Sequence, residues 1–219
     1  MKLAPTHIPA RSFAIAALTL AATLGCNKKA DNTSNYTSAI NSYYSAHPAC
    51  LWDQPVKLPA QADTSNDSKT SGYDALVDQG LLVRSTSEKK VFIVASKQVN
   101  NYDLSDKGRS AWTADPQQPG YGNFCYGHRK VSSIDSSTPA TSDPGATTQI
   151  DFRYTIDGVP TWASASETQN TFPVLRTDLA GPQAAQATLT NTSNGWQLTS
   201  APDFSRRNPA SSSDGKIVK

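Results

Sequence analysis

The spacing of hydrophobic residues divides the chain into two regions that predict different structures. In residues 36–114, helical and strand spacings are mixed. A first apolar stripe has the i, i+4, i+7, i+8 spacing of a helix face, and Pro48 marks the end of that helix. The stripe consists of Tyr36, Ile40, Tyr43 and Tyr44. A second short helix ends at Gly80, and the β-rich runs 81–83 and 91–94, separated by polar residues, predict a hairpin.

Residues 120–201 have the spacing of strands. The clearest strand, residues 150–156, alternates large apolar side chains with polar ones, which predicts one buried face and one wet face. A short helix is predicted at 162–169, after the second of four strands. The strands are centred on residues 124–128, 150–156, 184–189 and 196–199. This order, β-β-α-β-β, predicts an antiparallel four-stranded sheet with one helix packed on its apolar face.

The boundaries of these regions follow from composition. A Pro- and Gly-rich segment, residues 115–122, separates the two regions, and we expect a domain boundary there. Residues 202–219 contain few apolar positions and no periodicity, which predicts a disordered tail.

The first 25 residues predict a secretory signal peptide. Lys2 and Arg11 make the start positive, and residues 13–24 then carry no charge. Twelve residues in a helix span about 18 Å, against about 30 Å for the hydrocarbon core of a bilayer, so this segment is too short to cross it. A positive start, a short apolar core and small residues after it are typical of a segment that is removed on export.

The signal ends in residues 23–27, Thr-Leu-Gly-Cys-Asn. This run resembles the lipobox of bacterial lipoproteins, although Thr23 stands where that family usually has Leu. The resemblance implies that Cys26 receives diacylglycerol and becomes the new N-terminus, with more than one acyl chain, enough for stable anchoring. Asn27 at the second mature position implies the outer membrane, and the polar residues 26–35 predict a flexible tether. Ordinary signal cleavage after Gly25 and a chance cysteine remain alternatives.

Charge argues against a nucleic-acid partner. The chain has 20 Lys and Arg residues and 18 Asp and Glu residues. Removing the two basic residues of segment 1–25 leaves 18 of each sign, so the body is formally neutral. Nucleic-acid affinity is built largely from clustered Lys and Arg that neutralise phosphates, and a neutral body does not favour it.

Two short motifs lie in the first region. Residues 80–82 (GLL) stand at the end of a helix, and residues 102–109 (Y-x-L-S-x-x-G-R) follow the predicted hairpin. In this order they resemble the winged-helix fold of bacterial transcription regulators over residues 73–112. DNA binding is not carried over, because an exported chain does not meet DNA; we expect the scaffold to serve packing or protein contact. A DNA-related regulator would require the full-length chain to stay in the cytoplasm.

The expected fold class is therefore α+β. It comprises a winged-helix-like N-terminal part over residues 36–114, followed by the four-stranded antiparallel sheet with one packed helix over residues 120–201.

The cysteine count predicts one disulfide bond. If Cys26 takes lipid, Cys50 and Cys125 remain as an even pair in an oxidising compartment, where a disulfide is the default. Two buried free thiols, or a reactive thiol with a partner, are the alternatives. No C-x-x-C or H-x-x-x-H spacing indicates a metal site, and no cofactor is expected.

Catalytic motifs are absent from the sequence. It has no G-x-S-x-G, H-E-x-x-H, P-loop or G-x-G-x-x-G motif, so we assign no catalytic residue. His128 is the one candidate general base in a predicted element, although a solvent-facing or packed strand histidine is the simpler interpretation. The sequence predicts a cell-envelope lipoprotein whose body is a non-enzymatic binding or scaffolding module facing the periplasm. The alternative is an envelope enzyme acting on peptidoglycan or another glycan, which a cluster of carboxylates around His128 would favour.

Overall fold

The structure is a computed structural model that describes residues 27–92 and 95–204. The predicted signal peptide, Cys26 and most of the predicted tail therefore lie outside the described residues. Within these ranges the chain forms six helices and ten strands. The helices are α1 Thr33–Ala46, α2 Asp67–Asp78, α3 Asp106–Ala111, α4 Thr161–Ser164, α5 Ser166–Thr171 and α6 Pro173–Leu179. The strands are β1 Ala49–Cys50, β2 Val56–Lys57, β3 Ala60–Asp63, β4 Leu82–Phe92, β5 Ala95–Leu104, β6 Trp112–Ala114, β7 Tyr121–Ser137, β8 Thr147–Asp157, β9 Gln183–Thr192 and β10 Gly195–Leu198.

Two antiparallel sheets organise these elements. The larger one has seven strands in the order β1-β7-β8-β9-β10, with β2 and β6 also paired to β7. The smaller one has the order β3-β5-β4. The 17 residues of β7 make it the longest strand: its first half pairs with β1, β2 and β6, and its second half pairs with β8. The long strand therefore joins the two ends of the body.

One hydrophobic core lies between α1 and the second half of the seven-stranded sheet. The predicted helical stripe is present in α1, where Tyr36, Ile40 and Tyr44 are buried. They pack against the alternating inward side chains of β8 and β9, because successive strand residues point to opposite faces. Asn41 of α1 also accepts a hydrogen bond from the backbone N–H of Val131 in β7, at 2.9 Å. Helix and sheet are thus joined by apolar burial and by a polar contact to the strand edge.

A second core lies around the first half of β7 and the three-stranded sheet. Its members come from many short elements, including α2, α4 and α6. The largest fully buried side chains in it are Leu76, Leu81, Leu82, Tyr102, Phe124 and Tyr126. Ile156 of β8 packs against both cores, so the two apolar clusters are continuous through β8.

The predicted fold class is wrong. The first region does not form a winged-helix-like unit followed by a separate four-stranded sheet, because β1, β2 and β6 belong to the seven-stranded sheet and α1 packs on β7, β9 and β10. The strand β7 begins at Tyr121, inside the expected boundary 115–122, and continues through polar residues to Ser137. Sheet pairing uses backbone N–H and C=O groups, which polar residues also offer, so side-chain pattern underestimated this strand.

The helix predicted at 162–169 is also different. It is replaced by three short helices, and Pro173, which was expected to follow the helical segment, is the first residue of α6. Proline is tolerated at the first helical position because its missing N–H would have no partner there. The helix that packs across the core of β8 and β9 is α1, from the other end of the chain.

Both predicted flexible ends include ordered residues. The expected tether, residues 26–35, contains the first turn of α1 and the hydrogen-bonded segment 27–31. In the expected tail, Asp203 exchanges two backbone hydrogen bonds with Gln186 of β9. The ring of Phe204 packs edge-on against Tyr154. The described residues of both segments are therefore bonded to the body, and residues 205–219 lie beyond the described part.

Candidate functional site

A buried ion pair is the strongest electrostatic feature of the described residues. The side chain of Asp178 in α6 is fully buried, and that of Arg129 in β7 is 13% exposed. The Arg129 Nη2 atom lies 2.9 Å from Asp178 Oδ2. The same oxygen accepts a hydrogen bond from the Tyr126 hydroxyl at 2.7 Å, and Oδ1 accepts one from the Tyr154 hydroxyl at 2.9 Å. Both carboxylate oxygens are therefore occupied by donors.

Three elements bring this cluster together. Tyr126 and Arg129 lie on β7, Tyr154 lies on β8, and Asp178 lies in the last turn of α6. The ring of Tyr154 and the ring of Phe204 also lie 5.6 Å and 4.8 Å from the Arg129 guanidinium carbon, as cation–π contacts. The cluster thus ties α6 and the C-terminal segment to the seven-stranded sheet.

The electrostatics keep the Arg129 guanidinium charged. Burial alone lowers the pKa of the Arg129 guanidinium, but the negative charge of Asp178 and the neighbouring tyrosines Tyr126 and Tyr154 outweigh it, and the net pKa is raised. Tyr126, Arg129 and Tyr154 donate to the two oxygens of Asp178, so the guanidinium of Arg129 is held in a fixed position.

A cleft of about 320 Å³ opens next to this cluster, between the end of β8 and helices α4–α6. Its polar lining comes from Thr155, Ser164 and Gln169, and Asp178 contributes to the wall. The side chain of Asp178 is turned away from solvent into its donors, so the cleft presents hydroxyl and amide groups with no exposed carboxylate from that residue. This chemistry suits hydrogen bonding to a neutral group.

The two cysteines predicted to pair are neighbours on adjacent strands. Cys50 of β1 lies directly opposite Cys125 of β7, and their sulfur atoms are 2.04 Å apart, the distance of a disulfide bond. This bond joins strands whose cysteines are 75 residues apart in the chain. The pairing in the protein itself stays a prediction that thiol labelling can test.

His128 lies on the exposed surface of β7. Its Nδ1 atom is 3.1 Å from the carbonyl oxygen of Tyr44, which closes the end of α1 against the strand. Its cross-strand partner is Asp157, a single exposed carboxylate. Among the described residues, no group of three or more His, Cys, Asp or Glu side chains is placed to hold a metal ion. The carboxylate cluster that would have favoured an enzyme is not found around His128 in this part of the chain.

The segment directly after Cys26 is bound to the body. The carbonyl oxygens of Asn27 and Ala30 accept hydrogen bonds from the Asn35 side chain at 2.8 and 2.9 Å. Ala30 also accepts one from the indole N–H of Trp196 in β10, at 3.1 Å. We call residues 27–31 the anchor segment. A groove of about 390 Å³ between α1 and β10 opens beside it at Lys28.

The opposite part of the body presents an open strand edge. Strand β4 pairs with β5 alone among the described strands, and every residue from 83 to 90 is exposed. Val83 is 52% exposed, and Arg84 reaches back to Asp74 of α2 in an ion pair of 2.7 Å. The edge strand therefore offers unpaired backbone groups with polar and basic side chains on either side of them.

Sequence reasoning missed the polar cluster and the anchor segment. Asp178 is one of many Asp residues with no motif. It lies between Leu175 and Leu179, but Asp78 likewise follows Leu76 and Val77 and is exposed, so sequence neighbours did not single out the buried acid. The bonds of the anchor segment are made by backbone carbonyls and by the Asp31 carboxylate, which belong to no recognisable motif.

Comparison with protein-family models, with curated proteins and with solved structures finds no match for this chain. None of the helices in residues 27–92 and 95–204 has the length and apolar character needed to cross a membrane.

Proposed function

We propose that this chain is a lipid-anchored protein of the bacterial cell envelope whose body is a non-enzymatic binding or scaffolding module. The observation that carries the binding function is the open edge of β4. An edge strand with free N–H and C=O groups can add an extended polypeptide segment as a further strand, and main-chain hydrogen bonds then supply the affinity. The partner class is a protein with an exposed extended segment.

The side chains along this edge carry charges of both signs. Lys89 and Lys90 are exposed on β4, next to Glu88. The Lys89 ammonium donates to the Gln61 side chain of β3 at 2.9 Å, on the far side of the sheet, and Lys97 of β5 pairs with Asp63 of β3 at 2.7 Å. A partner segment therefore meets mixed charge here, and complementary charges on it would act mainly on association rate and specificity.

The anchoring part of the proposal is supported by the signal and by the residues that follow it. The lipobox-like run covers residues 23–27, and the carbonyl oxygen of its last residue, Asn27, is bonded to the Asn35 side chain of α1. Asn27 supports the outer membrane as the destination, with the body facing the periplasm. Its side-chain Oδ1 accepts a hydrogen bond from the backbone N–H of Lys29 at 3.2 Å, and an Asp side chain could accept the same bond.

The anchor is tested by cell fractionation with two substitutions. Cys26→Ser should release the protein from membranes, and unchanged membrane association would contradict lipidation. Asn27→Asp keeps the acceptor for Lys29, so a shift of the protein from the outer to the inner membrane would report sorting and not misfolding. An unchanged distribution would contradict the outer-membrane assignment.

The binding edge is tested by photo-crosslinking in cells that make the lipidated protein. A photoreactive residue replaces Glu88, which is exposed on β4, and in a matched control it replaces Ser166, which is exposed at the start of α5. We expect a defined envelope protein to be crosslinked from position 88 and not from position 166. Equal crosslinking from both positions, or none from position 88, would contradict the assignment of this edge.

A further inference from the structure

We infer that the lipidated body is seated directly on the bilayer, without a flexible tether, so that the anchor segment and the β9–β10 turn face the lipid headgroups and β4 is held at the far end. This inference rests on the proposed lipidation of Cys26. It concerns the surface that contacts the membrane and the orientation of the body.

The first step is that the anchor segment is fixed to several separate parts of the body. The anchor segment has further bonds besides those to Asn35 and Trp196. The carbonyl oxygen of Lys29 accepts a hydrogen bond from the Asn191 side chain of β9, at 3.3 Å. The carboxylate of Asp31 accepts one from the backbone N–H of Ala140 at 3.1 Å, and a second from the Tyr36 hydroxyl. Helix α1, the β9–β10 hairpin and the loop before β8 therefore all hold this segment.

A glycine shows how closely the segment lies against the hairpin. Gly195, at the end of the β9–β10 turn, has φ +99°, which favours glycine. A side chain placed there would come within 2.8 Å of both the Cβ and the carbonyl oxygen of Lys28. The backbone of the anchor segment thus packs directly on the turn.

The second step is the length of chain between lipid and body. Consecutive Cα atoms are about 3.8 Å apart, so a lipid on Cys26 is attached to the residue directly before Asn27. The headgroup layer on each side of a bilayer is about 5–8 Å thick. A lipid on Cys26 therefore brings Asn27 to the headgroups, whereas ten free residues of tether would have allowed about 33–36 Å.

The third step is the direction of the long strand. Ser137 at the end of β7 pairs with Ile150, and Thr147 at the start of β8 pairs with Thr190, next to the β9–β10 turn. The end of β7 is therefore on the side of the anchor segment. Tyr121, the first residue of β7, is sixteen residues away along the strand, at its opposite end. At about 3.3 Å per residue the path along the strand is at most about 53 Å, and the two irregularities in its pairing with β8 shorten the direct distance.

The three-stranded sheet lies at that distant end. The backbone N–H of Leu58, just before β3, donates to the carbonyl oxygen of Gly120 at 3.1 Å, beside the start of β7. Tyr102 of β5 belongs to the same buried cluster as Phe124 of β7. Tyr102 pairs with Arg84, so the start of β4 lies at this end of the body, away from the anchor segment.

The surface at the anchor end has the chemistry of a headgroup contact. Its exposed residues are polar or charged: Asn27, Lys28 and Asp31 in the anchor segment, with Ser193 and Asn194 in the turn. The Asp31 carboxylate is already bonded to Ala140 and Tyr36. Amide, hydroxyl and ammonium groups can donate hydrogen bonds to lipid phosphate. Because these exposed groups are not apolar, we expect this end to lie at the level of the headgroups and not in the hydrocarbon.

The test uses the processed chain from Cys26 to Lys219, with the Cys26 sulfur coupled to a maleimide lipid in phosphatidylcholine vesicles that contain phosphatidylglycerol. A clickable unnatural amino acid places a fluorescent donor at Ser193 or at Glu88, and the acceptor is a headgroup-labelled lipid. We expect energy transfer from position 193 to be several-fold stronger than from position 88. A Gly/Ser insertion of twelve residues between Cys26 and Asn27 should remove most of that difference.

Two outcomes would overturn the inference: equal transfer from the two positions, or a difference that the insertion leaves unchanged. Circular dichroism of each labelled protein shows whether it is folded. The lipid is attached chemically in this experiment, so its result does not depend on acylation in cells. Failure of Cys26→Ser to release the protein from cell membranes would contradict lipidation alone, and the two failures are therefore distinguishable.

Discussion

The substitution Asp178→Asn should destabilise the fold strongly. The side chain of Asp178 is fully buried and accepts hydrogen bonds from Arg129, Tyr126 and Tyr154. Asparagine has nearly the same shape, so little packing is lost. It is neutral, however, and only its carbonyl oxygen can accept a hydrogen bond, so its NH2 group faces a donor in place of the second carboxylate oxygen. The charge of Arg129, whose side chain is 13% exposed, is then left without its carboxylate.

The expected loss can be worked from this geometry. Removing one partner of a buried ion pair costs about 3–5 kcal/mol, because the other charge stays buried and unpaired. Arg129 keeps its cation–π contacts with Tyr154 and Phe204 in both proteins, and it is not completely buried, so we expect the lower end, about 3 kcal/mol. For a body of this size, that corresponds to a decrease in Tm of about 6–12 °C.

Urea unfolding followed by circular dichroism measures the change in unfolding free energy. The matched control is Asp157→Asn, because Asp157 pairs with Lys130 at 3.9 Å with both side chains at least 65% exposed. Such exposed pairs contribute about 0–1 kcal/mol. In addition, the double variant Arg129→Met/Asp178→Asn should lose less than the sum of the single variants, since it leaves no unpaired charge. If Asp178→Asn were as mild as Asp157→Asn, the reasoning about the buried charge would be refuted.

Three further predictions concern the disulfide bond, one glycine contact and two buried tyrosines. Replacing Cys50 and Cys125 with Ala should lower the unfolding free energy, measured in urea, by up to about 4–5 kcal/mol. Thiol labelling of the denatured, unreduced wild-type chain should find both cysteines blocked, and two free thiols would contradict the disulfide bond. Gly108→Ala should cost about 1–3 kcal/mol, because the new methyl group would overlap the carbonyl oxygen of Leu81, and an unchanged urea midpoint would argue against that close approach. Burial, and then a nearby Asp, raise the pKa of Tyr36 and of Tyr102 to about 12, so both should ionise late in an ultraviolet titration. Because the folded-state pKa values are raised, the contribution of these tyrosines to stability should be complete below about pH 10 and should decline as the pH rises towards 12. Urea midpoints measured at each pH follow this change. A stability that is constant over that range would contradict the raised pKa values.

The local elements of this fold were readable in the sequence because burial imposes a period on apolar residues. The stripe on α1 and the alternation on β8 are both present, with Tyr36, Ile40, Ile150 and Phe152 buried. The end of a helix was readable too: Gly80, predicted to end the second helix, follows α2 and has φ +70°. In each case, the signal lies within a few residues of the structure that it predicts.

The arrangement of these elements was not readable. The periodicity of α1 indicates that one face of the helix is buried, but it does not indicate which strands that face packs against. From the sequence, α1 was assigned to the winged-helix-like region, whereas it packs on the seven-stranded sheet. The same holds for β7, whose pairing depends on backbone groups that every polar residue shares. The prediction of the fold class was therefore wrong, although many of the predicted helices and strands are present.

By itself, the sequence determined the apolar periods, turns and helix ends of this protein. Export and the pairing of Cys50 with Cys125 stay predictions from the sequence. Tertiary structure alone decided what surrounds Asp178 and where the anchor segment is held. Arg129 and Asp178 are 49 residues apart, and the bonds from Asn191 and Trp196 to the anchor segment join residues 162 and 166 positions apart. Polar contacts of this kind need one precise donor and acceptor from distant parts of the chain. They leave no periodic trace, because a single side chain or carbonyl oxygen is enough to make each of them.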